Sequence, residues 1–402
     1  MLSTRGVRKA VLIAAGLTQQ SCADTSPNRL REMGTPPVVL SGTPETVPES
    51  FSRIVAAREL SDGRVLVLDG SEHRLVFTDF AQHRVTPVGR TGSGPSEYRF
   101  PRALLAYRGD SSILTEPARL ISVQIVAGDG RIVPVTPGGR TRNPARIDFF
   151  RTAADTNGYL YTQVARRVAP PERFPIDADS AWIERINLQT GARDTVGAIR
   201  TTPMLPEGES PPARRPTANQ PFRASVRPFA TRDLWSVLPD GRVVVVSAIP
   251  YRIEIADASG TRVAGPRVAV DSVRVENAHK EHWRAEKRRP TAITVFDASG
   301  VHGQETELPF EEPETWPRFL PPFLDQPLRV GADGTLWIER TGMADAPVTV
   351  DVFDQTGERV SQVHLPKGRR LAGIGGTTLY LVRTDADDVQ YLEKWPRPAP
   401  QK

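Results

Sequence analysis

The hydrophobic and polar positions of this 402-residue chain recur in a repeating pattern. Each copy has a polar turn with glycine, an apolar or alternating segment, a few polar residues, a second alternating segment and another glycine turn. The clearest copies run from Leu60 to Val85, from Leu238 to Val263 and from Gly331 to Val360. Asp-Gly permits the positive φ angles of tight hairpin turns, and segments such as "RVLVLD" are rich in β-branched residues. The pattern therefore predicts repeated β-hairpins.

Weaker copies fill the gaps, so six copies begin near residues 54, 104, 152, 235, 329 and 371. Radially repeated four-stranded sheets leave only short open edges in an all-β chain. We therefore predict an all-β fold, a six-bladed β-propeller over residues 51–398 with insertions near 200–230 and 266–327. The second insertion, between blades four and five, is predicted to be helical or irregular and to lie over one rim. Within it, "DSVRVENAHKEHWRAEKRR" suits a helix ending at Pro290, and "TAITVFD" suits a strand.

The most apolar segment of each copy is interpreted as the inner strand that lines the central channel. The polar ends of these six segments are chemically mixed: Asp69, Glu116, Gln163, Ser247, Arg340 and Arg383. Those predicted to face a ligand are Glu116, Gln163, Arg340 and Arg383. Two arginines at such positions would repel a divalent cation and suit an anionic or carbonyl-bearing partner.

The stretch "GRTGSGPSEYRFP" lies between the first and second copies. It resembles the "G-x-G-x-G-P-x-E-[FY]-x-x-P" linker of six-bladed propellers related to the NHL-repeat family, and weaker features extend the resemblance over about Arg53 to Trp395. Only one full Gly-rich linker is present. Its residues are Gly89, Gly92, Gly94, Pro95, Tyr98 and Pro101.

The resemblance implies that the glycines permit a sharp crossing between blades, and that Tyr98 and Pro101 seat the next inner strand. We therefore expect Gly92 and Gly94 to adopt backbone angles that a β-branched residue cannot hold. The resemblance also implies exported bacterial propellers whose roles are largely binding, and it implies no catalytic residue.

Composition adds two points. The 37 prolines and 31 glycines suit frequent turns between short strands rather than long helices. The formal net charge of +5 arises from 52 basic and 47 acidic residues, so the excess is small. The one dense basic cluster, "KEHWRAEKRRP", is diluted by Glu281 and Glu286, and we therefore expect no nucleic-acid partner.

The N-terminus predicts export. A basic segment with Arg5, Arg8 and Lys9 precedes a short apolar segment, and Cys22, the only cysteine, follows it. Residues 1–22 are therefore predicted as a signal peptide with Cys22 as the lipidation site of an envelope lipoprotein, which would contact the membrane through this anchor only.

The lipobox departs from the usual pattern because Gln19 stands where an aliphatic residue is expected. The alternative is cleavage after Ala23, which would release a soluble periplasmic or secreted protein. Residues 23–50 are polar and Pro-rich and are predicted as a tether, although "PPVVLSG" within them could instead be a first strand.

Candidate chemical motifs are weak. In "HKEHW", residues His279, Glu281 and His282 lack the H-E-x-x-H spacing of a zinc protease, and we expect a solvated helix face. The tryptophans in or beside predicted strands are expected to pack in the core: Trp182, Trp235 and Trp337.

Six-bladed propellers also include calcium-dependent lactonases, which place Glu, Asn and Asp at the central channel. The comparable residues here would be Glu116, Asn157 and Asp233. The expectation favoured by the sequence is a non-catalytic binding or scaffold module of the cell envelope, with its ligand at the channel mouth. The partner would be a small molecule, a peptide or an envelope protein, with no cofactor and no metal. A calcium-dependent lactonase or esterase is the alternative.

Overall fold

The structure is a computed structural model that describes residues 36–92, 94, 96–116, 122–138, 151–164, 180–201, 228–288, 291–297, 300–306, 310, 312–313, 315–324, 328–343 and 346–399. Cys22, Pro95 and most of the predicted insertion near 200–230 lie outside these residues. Regular structure in the described ranges is almost entirely β, with one helix. That helix is neither long nor apolar enough to cross a membrane.

Six sheets of four or five strands form the blades. Two short strands, β1 (Val38–Val39) and β2 (Glu45–Thr46), precede blade 1 in the chain. Blade 1 consists of β3 (Ile54–Glu59), β4 (Val65–Asp69), β5 (Arg74–Asp79) and β6 (Arg84–Val88). The linker that follows contains β7 (Arg90–Thr91) and β8 (Glu97–Tyr98). Blade 2 consists of β9 (Ala103–Ala106), β10 (Ser112–Thr115), β11 (Val123–Val126) and β12 (Ile132–Val135).

The remaining blades follow the same order. Blade 3 consists of β13 (Thr152–Ala154), β14 (Tyr159–Val164), β15 (Ser180–Asn187) and β16 (Arg193–Arg200). Blade 4 consists of β17 (Leu234–Val237), β18 (Val243–Ala248), β19 (Tyr251–Ala256) and β20 (Arg262–Ala264). The insertion contains α1 (Asn277–Arg288), β21 (Thr291–Asp297) and β22 (Gly300–Thr306). Blade 5 consists of β23 (Arg329–Val330), β24 (Leu336–Glu339), β25 (Thr349–Phe353) and β26 (Arg359–His364), and blade 6 of β27 (Arg369–Ile374), β28 (Thr378–Thr384) and β29 (Gln390–Pro396).

The blades close into a ring. Six clusters of buried apolar side chains lie in the described core, and each joins two neighbouring blades: 1 with 2, 2 with 3, 3 with 4, 4 with 5, 5 with 6, and 6 with 1. Burial of apolar surface between blade faces is the main force that holds such a ring together. The predicted six-bladed β-propeller, with blade starts within two residues of those expected, is therefore confirmed.

The first strand of each blade, not the second, is innermost. Strands β3, β9, β13, β17, β23 and β27 contact one another in ring order, from β27 back to β3. The segments predicted to line the channel are β4, β10, β14, β18, β24 and β28, and they lie one position further out. This assignment was wrong because the second strand is covered by a strand on each side and by a blade on each face. It is therefore the most apolar strand without being the central one.

The N-terminal residues fasten the ring. Strand β2 pairs with β29 and becomes the fourth strand of blade 6, while β1 pairs in parallel with β26 as a fifth strand of blade 5. Phe51 exchanges two backbone hydrogen bonds with Gln390, each of 2.8 Å. The later part of the predicted tether, from residue 38 onward, is thus part of the propeller, as the alternative interpretation of "PPVVLSG" anticipated.

The insertion after blade 4 contains the expected helix and strand. Helix α1 ends at Arg288, two residues before Pro290, consistent with the restriction that proline places on the residue preceding it. Strand β21 pairs with β22 as a hairpin. Residues of this insertion and the turn at Ile249–Pro250 enclose a pocket of about 200 Å³ that also contacts Arg340. The insertion therefore shapes one part of the ring surface beside blades 4 and 5.

Candidate functional site

The starts of the first strands and the ends of the second strands lie on the same face of the ring, which we call the front face. In blade 1, for example, Ile54 pairs with Asp69. The turns between second and third strands, such as residues 70–73, lie on this face as well. The turns between first and second strands lie on the opposite face.

Two buried carboxylates on the front face are occupied by backbone groups. Asp69 accepts hydrogen bonds from the backbone N–H of Ser52 at 2.9 Å and of Arg53 at 3.1 Å. Glu116, predicted to face a ligand, is 1% exposed and accepts the backbone N–H of Phe100 at 3.1 Å. Both side chains therefore fix the segment that enters a first strand, and their acceptor capacity is directed at the protein itself.

The other three predicted ligand-facing residues also contact protein groups. Gln163 accepts a hydrogen bond of 3.1 Å from the indole N–H of Trp235. Arg340 forms a 3.1 Å ion pair with the buried carboxylate of Asp351. Arg383 lies 3.4 Å from a carboxylate oxygen of Glu393 and over the ring of Tyr391, 4.3 Å from its centroid. Gln163 and Arg383 belong to second strands and Arg340 directly follows one, and their distance from the ring centre accounts for these contacts.

Two of the tryptophans predicted to pack in the core are buried there. Trp182 and Trp337 are 4% and 2% exposed. The indole N–H of Trp337 donates a 2.9 Å hydrogen bond to the Thr335 hydroxyl.

The residues comparable to a lactonase site do not come together. Asn157 lies in the turn between β13 and β14, on the face opposite Glu116 and Asp233, and its side-chain amide donates to the Asp240 carbonyl at 3.3 Å. Asp233 accepts from Arg200 at 3.1 Å, and burial raises the pKa of Asp233 although Arg200 opposes the shift. Among the described residues, no group of three or more His, Cys, Asp or Glu side chains is arranged to hold a metal ion.

The "HKEHW" motif lies in α1, and its first histidine makes structural contacts. His279 is 6% exposed, its Nδ1 accepts the backbone N–H of Glu276 at 3.0 Å, and its Nε2 donates to the Gly342 carbonyl at 3.1 Å. His282 is exposed. His279 is therefore a docking residue, and only His282 lies on the solvated face that was predicted for both.

The inter-blade linker is held by side chains as much as by glycine conformation. The Tyr98 hydroxyl accepts the backbone N–H of Leu75 and donates to the Val88 carbonyl, both at 2.9 Å. Pro101 is buried two residues before the first strand of blade 2. Among the linker glycines with described conformations, only Gly89 has φ in the left-handed region, at 67°.

The expectation for the backbone angles of Gly92 and Gly94 was therefore wrong. What both glycines accommodate is the Glu97 side chain: a Cβ at Gly92 would lie 2.1 Å from its Oε2 atom, and the backbone N–H of Gly94 donates to that oxygen at 2.7 Å.

Arginines cluster where the first strands begin. Arg53 and Arg102 directly precede β3 and β9, Arg329 is the first residue of β23, and Arg370 is the second residue of β27. We call these four the arginine row; in ring order they come from blades 5, 6, 1 and 2. Burial lowers the pKa of Arg102, and the charge of Arg53 lowers it further. The pKa of Arg370 is likewise lowered by burial and then by Arg53, although Glu339 opposes the shift.

At the blade 5 end of the arginine row, Arg329 is hydrogen-bonded to neighbouring blades. Arg329 donates to the backbone carbonyls of Leu371 at 3.0 Å and Val55 at 3.2 Å, so that it links blades 5, 6 and 1. Burial lowers the pKa of Arg329 to about 10, with Arg370 lowering it and Glu339 raising it. Glu339 accepts the backbone N–H of Leu371 at 2.6 Å. The Glu339 carboxylate, itself hydrogen-bonded to backbone, thus acts on the guanidinium groups of both Arg329 and Arg370.

At the other end of the arginine row, in blades 1 and 2, the arginines lack a counter-charge among the described residues. Within the described residues, neither Arg53 nor Arg102 forms an ion pair, and the Nε atom of Arg102 is buried without a hydrogen-bond partner. Arg53 is exposed and lies against the turn after β4: a Cβ at Gly70 would stand 3.3 Å from its Nη2 atom. Buried polar atoms without partners are uncommon in native proteins and often mark a bound ligand or water.

His73 completes this corner of the front face. It lies in the turn after β4 with φ of 52°, and its ring packs edge-to-face on Phe100 with centroids 5.0 Å apart. Its Nδ1 atom is buried and has no hydrogen-bond partner among the described residues. Burial lowers the pKa of His73, and Arg102 and Arg53 lower it further, while Asp69 and the Gly70 carbonyl raise it.

Sequence reasoning missed these residues because it examined the second strands. A signal was nevertheless present, because Arg53, Arg102 and Arg151 each stand directly before the first strand of consecutive blades. In blade 4 the same position is occupied by Asp233. The arrangement brings arginines from neighbouring blades to the front face, where they could bind an anionic group.

Comparisons with known proteins are limited to shape. No protein-family model matches the chain, and no curated protein matches its sequence. Solved structures that match include a calcium-binding protein, regucalcin, from Agrobacterium tumefaciens strain C58, at 10% identity and a TM-score of 0.39, covering 90% of this chain and 98% of that one.

A catalytically inactive virginiamycin B lyase from Staphylococcus aureus, crystallised with quinupristin, matches at 13% identity and a TM-score of 0.39, covering 88% of this chain and 99% of that one. A protein of unknown function from Bacteroides thetaiotaomicron VPI-5482 matches at 9% identity and a TM-score of 0.39, covering 90% and 75%. These similarities are too low to carry an argument about activity, which therefore depends on the site itself.

Proposed function

We propose that this propeller is a binding module whose ligand is an anionic small molecule or anionic peptide group held at the front-face mouth of the channel. The observation that carries the proposal concerns the two arginines of blades 1 and 2. Arg53 and Arg102 have no carboxylate partner within the described residues, and Arg102 Nε is buried without an acceptor. Like charges brought together destabilise a fold, so an arrangement of this kind is suited to a ligand that neutralises it.

The guanidinium groups favour an oxyanion over a cation. Arginine presents several N–H donors in a planar fork that matches the oxygens of carboxylate, phosphate or sulfate. Arg370 and Arg329 continue the positive charge around the ring to blades 6 and 5, where Glu339 offsets part of it. The same charge disfavours a calcium ion, and the residues comparable to a lactonase site lie on opposite faces. We therefore propose binding without metal-dependent esterase activity.

Calorimetry with the purified propeller tests this function. We expect sulfate, phosphate or small dicarboxylates to bind, and uncharged analogues such as the corresponding diamides not to bind. Arg53→Gln and Arg102→Gln should each weaken binding about tenfold or more, the value of a hydrogen bond to a charged group. Arg131→Gln is the matched control, since Arg131 is a 72% exposed arginine of blade 2 on the opposite face.

Two results would contradict the proposal. One is equal affinity for charged and uncharged analogues, or no binding of any anion. The other is calcium binding at micromolar concentrations together with chelator-sensitive turnover of lactones or esters, which would favour the hydrolase instead.

We also propose that the propeller is exported and held at the cell envelope by a lipid on Cys22, as the N-terminal sequence and the resemblance to NHL-related exported propellers suggest. Mass spectrometry of the membrane fraction should then find a mature N-terminus at a diacylated or triacylated cysteine. An unmodified N-terminus at Asp24 would show instead that the signal is cleaved after Ala23 and the protein is released.

A further inference from the structure

His73 is placed to take part in anion binding. Its ring lies between the turn after β4 and the segment that enters β9, against Phe100, and its unpartnered Nδ1 atom is buried beside two arginines. The charged and polar groups that face the ring are Arg53 from the start of blade 1, Arg102 from the start of blade 2, the Asp69 carboxylate at the end of β4 and the Gly70 carbonyl in the same turn.

These surroundings disfavour the imidazolium form in the empty protein. Two cations and burial act against a proton on His73. The opposing carboxylate of Asp69 already accepts four backbone N–H groups, from Ser52, Arg53, Ser71 and Glu72. A bound oxyanion would reverse the balance, because its negative charge offsets the two arginines and stabilises the imidazolium form, in which Nδ1 carries an N–H that can donate to the anion.

Resting on the function proposed above, we propose that His73 is a third donor to the anion and that binding is coupled to uptake of a proton at its imidazole. The ligand class is an oxyanion with at least two acceptor oxygens, which Arg53, Arg102 and His73 share. The sign of the pH dependence follows: the bound state holds one more proton, so affinity rises as pH falls below the His73 pKa of the complex. It levels off below the lower pKa of the empty protein.

Sulfate is the probe that isolates this effect, since it stays fully ionised across the range in which histidine titrates. We expect its affinity for the wild-type protein to rise up to about tenfold per pH unit between about pH 8 and pH 6. Calorimetry in buffers of different ionisation enthalpy should register uptake of up to about one proton per sulfate in that range.

The variant His73→Asn removes the titrating group and keeps a residue that tolerates the left-handed backbone at this position, where φ is 52°. It should bind sulfate more weakly and with no dependence on pH. His83→Asn is the matched control, because His83 has φ of 48° in an exposed turn of the same blade on the opposite face. It should leave both affinity and proton uptake unchanged.

The outcomes separate the two proposals. If wild-type protein binds sulfate with the same affinity at all pH values and without proton uptake, the role of His73 is refuted while anion binding stands. If neither sulfate nor any other oxyanion binds at any pH, the proposed function itself fails. The wild-type measurement decides both points even if His73→Asn does not fold.

Discussion

Gly89 is the residue at which the inter-blade linker most needs glycine. Its φ of 67° lies in the left-handed region, and a Cβ there would meet Ile132 Cδ1 at 2.5 Å and the Tyr98 ring at 3.0 Å. We expect Gly89→Ala to lower the free energy of unfolding by about 1–3 kcal/mol, the range for a strained non-glycine backbone. Chemical denaturation with urea measures the change.

Gly94→Ala is the matched control for that measurement. Its φ lies outside the left-handed region, and the three atoms nearest to the added Cβ all belong to the flexible Glu97 side chain, the closest at 3.0 Å. A loss of stability at position 94 equal to that at position 89 would show that backbone conformation is not what the linker requires of glycine.

The sequence identified the linker but not which glycine carries the constraint. Four linker positions are glycine or proline within seven residues, so the motif alone gives no way to rank them. The ranking depends on what lies near each Cβ position. Those neighbours include Ile132, which comes from the outer strand of the next blade and is 43 positions away from Gly89.

At the scale of elements, helix α1 depends on His279 for its attachment to blade 5. The side chain bonds Glu276 at the start of the helix and Gly342 after β24. Aromatic contacts accompany it, with the rings of Trp283 and Trp316 5.3 Å apart and close to perpendicular. An ion pair between Arg284 of the helix and Glu312 adds to these contacts.

We expect His279→Ala to loosen α1 while the propeller stays folded, because the six inter-blade clusters do not include this helix. Cleavage by protease within residues 266–327 should become faster, and the near-ultraviolet circular dichroism of the tryptophans should weaken. His282→Ala, an exposed neighbour on the same helix, should change neither signal. Equal protection in His279→Ala and wild type would show that the aromatic contacts and the Arg284–Glu312 ion pair hold the helix without His279.

The strand pattern predicted the blades well and their radial order poorly. Strand β4 is buried at all five positions, whereas only two of the six residues of β3 are buried and its half-buried residues include Arg58 and Glu59. A strand next to the channel borders water on one side, so it can carry charge that a middle strand cannot. Apolar content therefore ranks strands by how completely they are covered, not by how near they lie to the axis.

At the scale of the whole molecule, the ring is fastened by its N-terminal segment. A chain that begins at residue 51 lacks β1 and β2, which leaves the edges of β26 and β29 unpaired. We expect it to melt at a lower temperature and to aggregate more readily than a chain that begins at residue 36, because open strand edges pair with other chains. Equal thermal stability and equal solubility of the two would show that these strands do not fasten the ring.

The candidate site belongs to this scale too, and for that reason the sequence could predict only part of it. Arg53, Arg102, Arg329 and Arg370 are spread over more than 300 positions. Arg53 and Arg102 share a place directly before a first strand, but Arg329 and Arg370 lie inside their strands and do not share it. Only closure of the ring brings Arg370 of the last blade beside Arg53 of the first. The sequence could predict the repeat that positions them, but not which members of the repeat meet.

The pairing of β2 with β29 also sets an order in time. Glu45 and Lys394, which form an ion pair across these strands, are 349 positions apart in the chain. During synthesis each of the first five blades can form its hairpins from neighbouring residues as soon as they emerge, because contacts that are near in sequence form quickly. The sixth blade cannot be completed until β29 is synthesised. Its outer strand, β2, is synthesised before every blade and has no partner until then. Completion of the ring therefore requires β29 to be present, and a chain that stops before β29 leaves β2 without its partner.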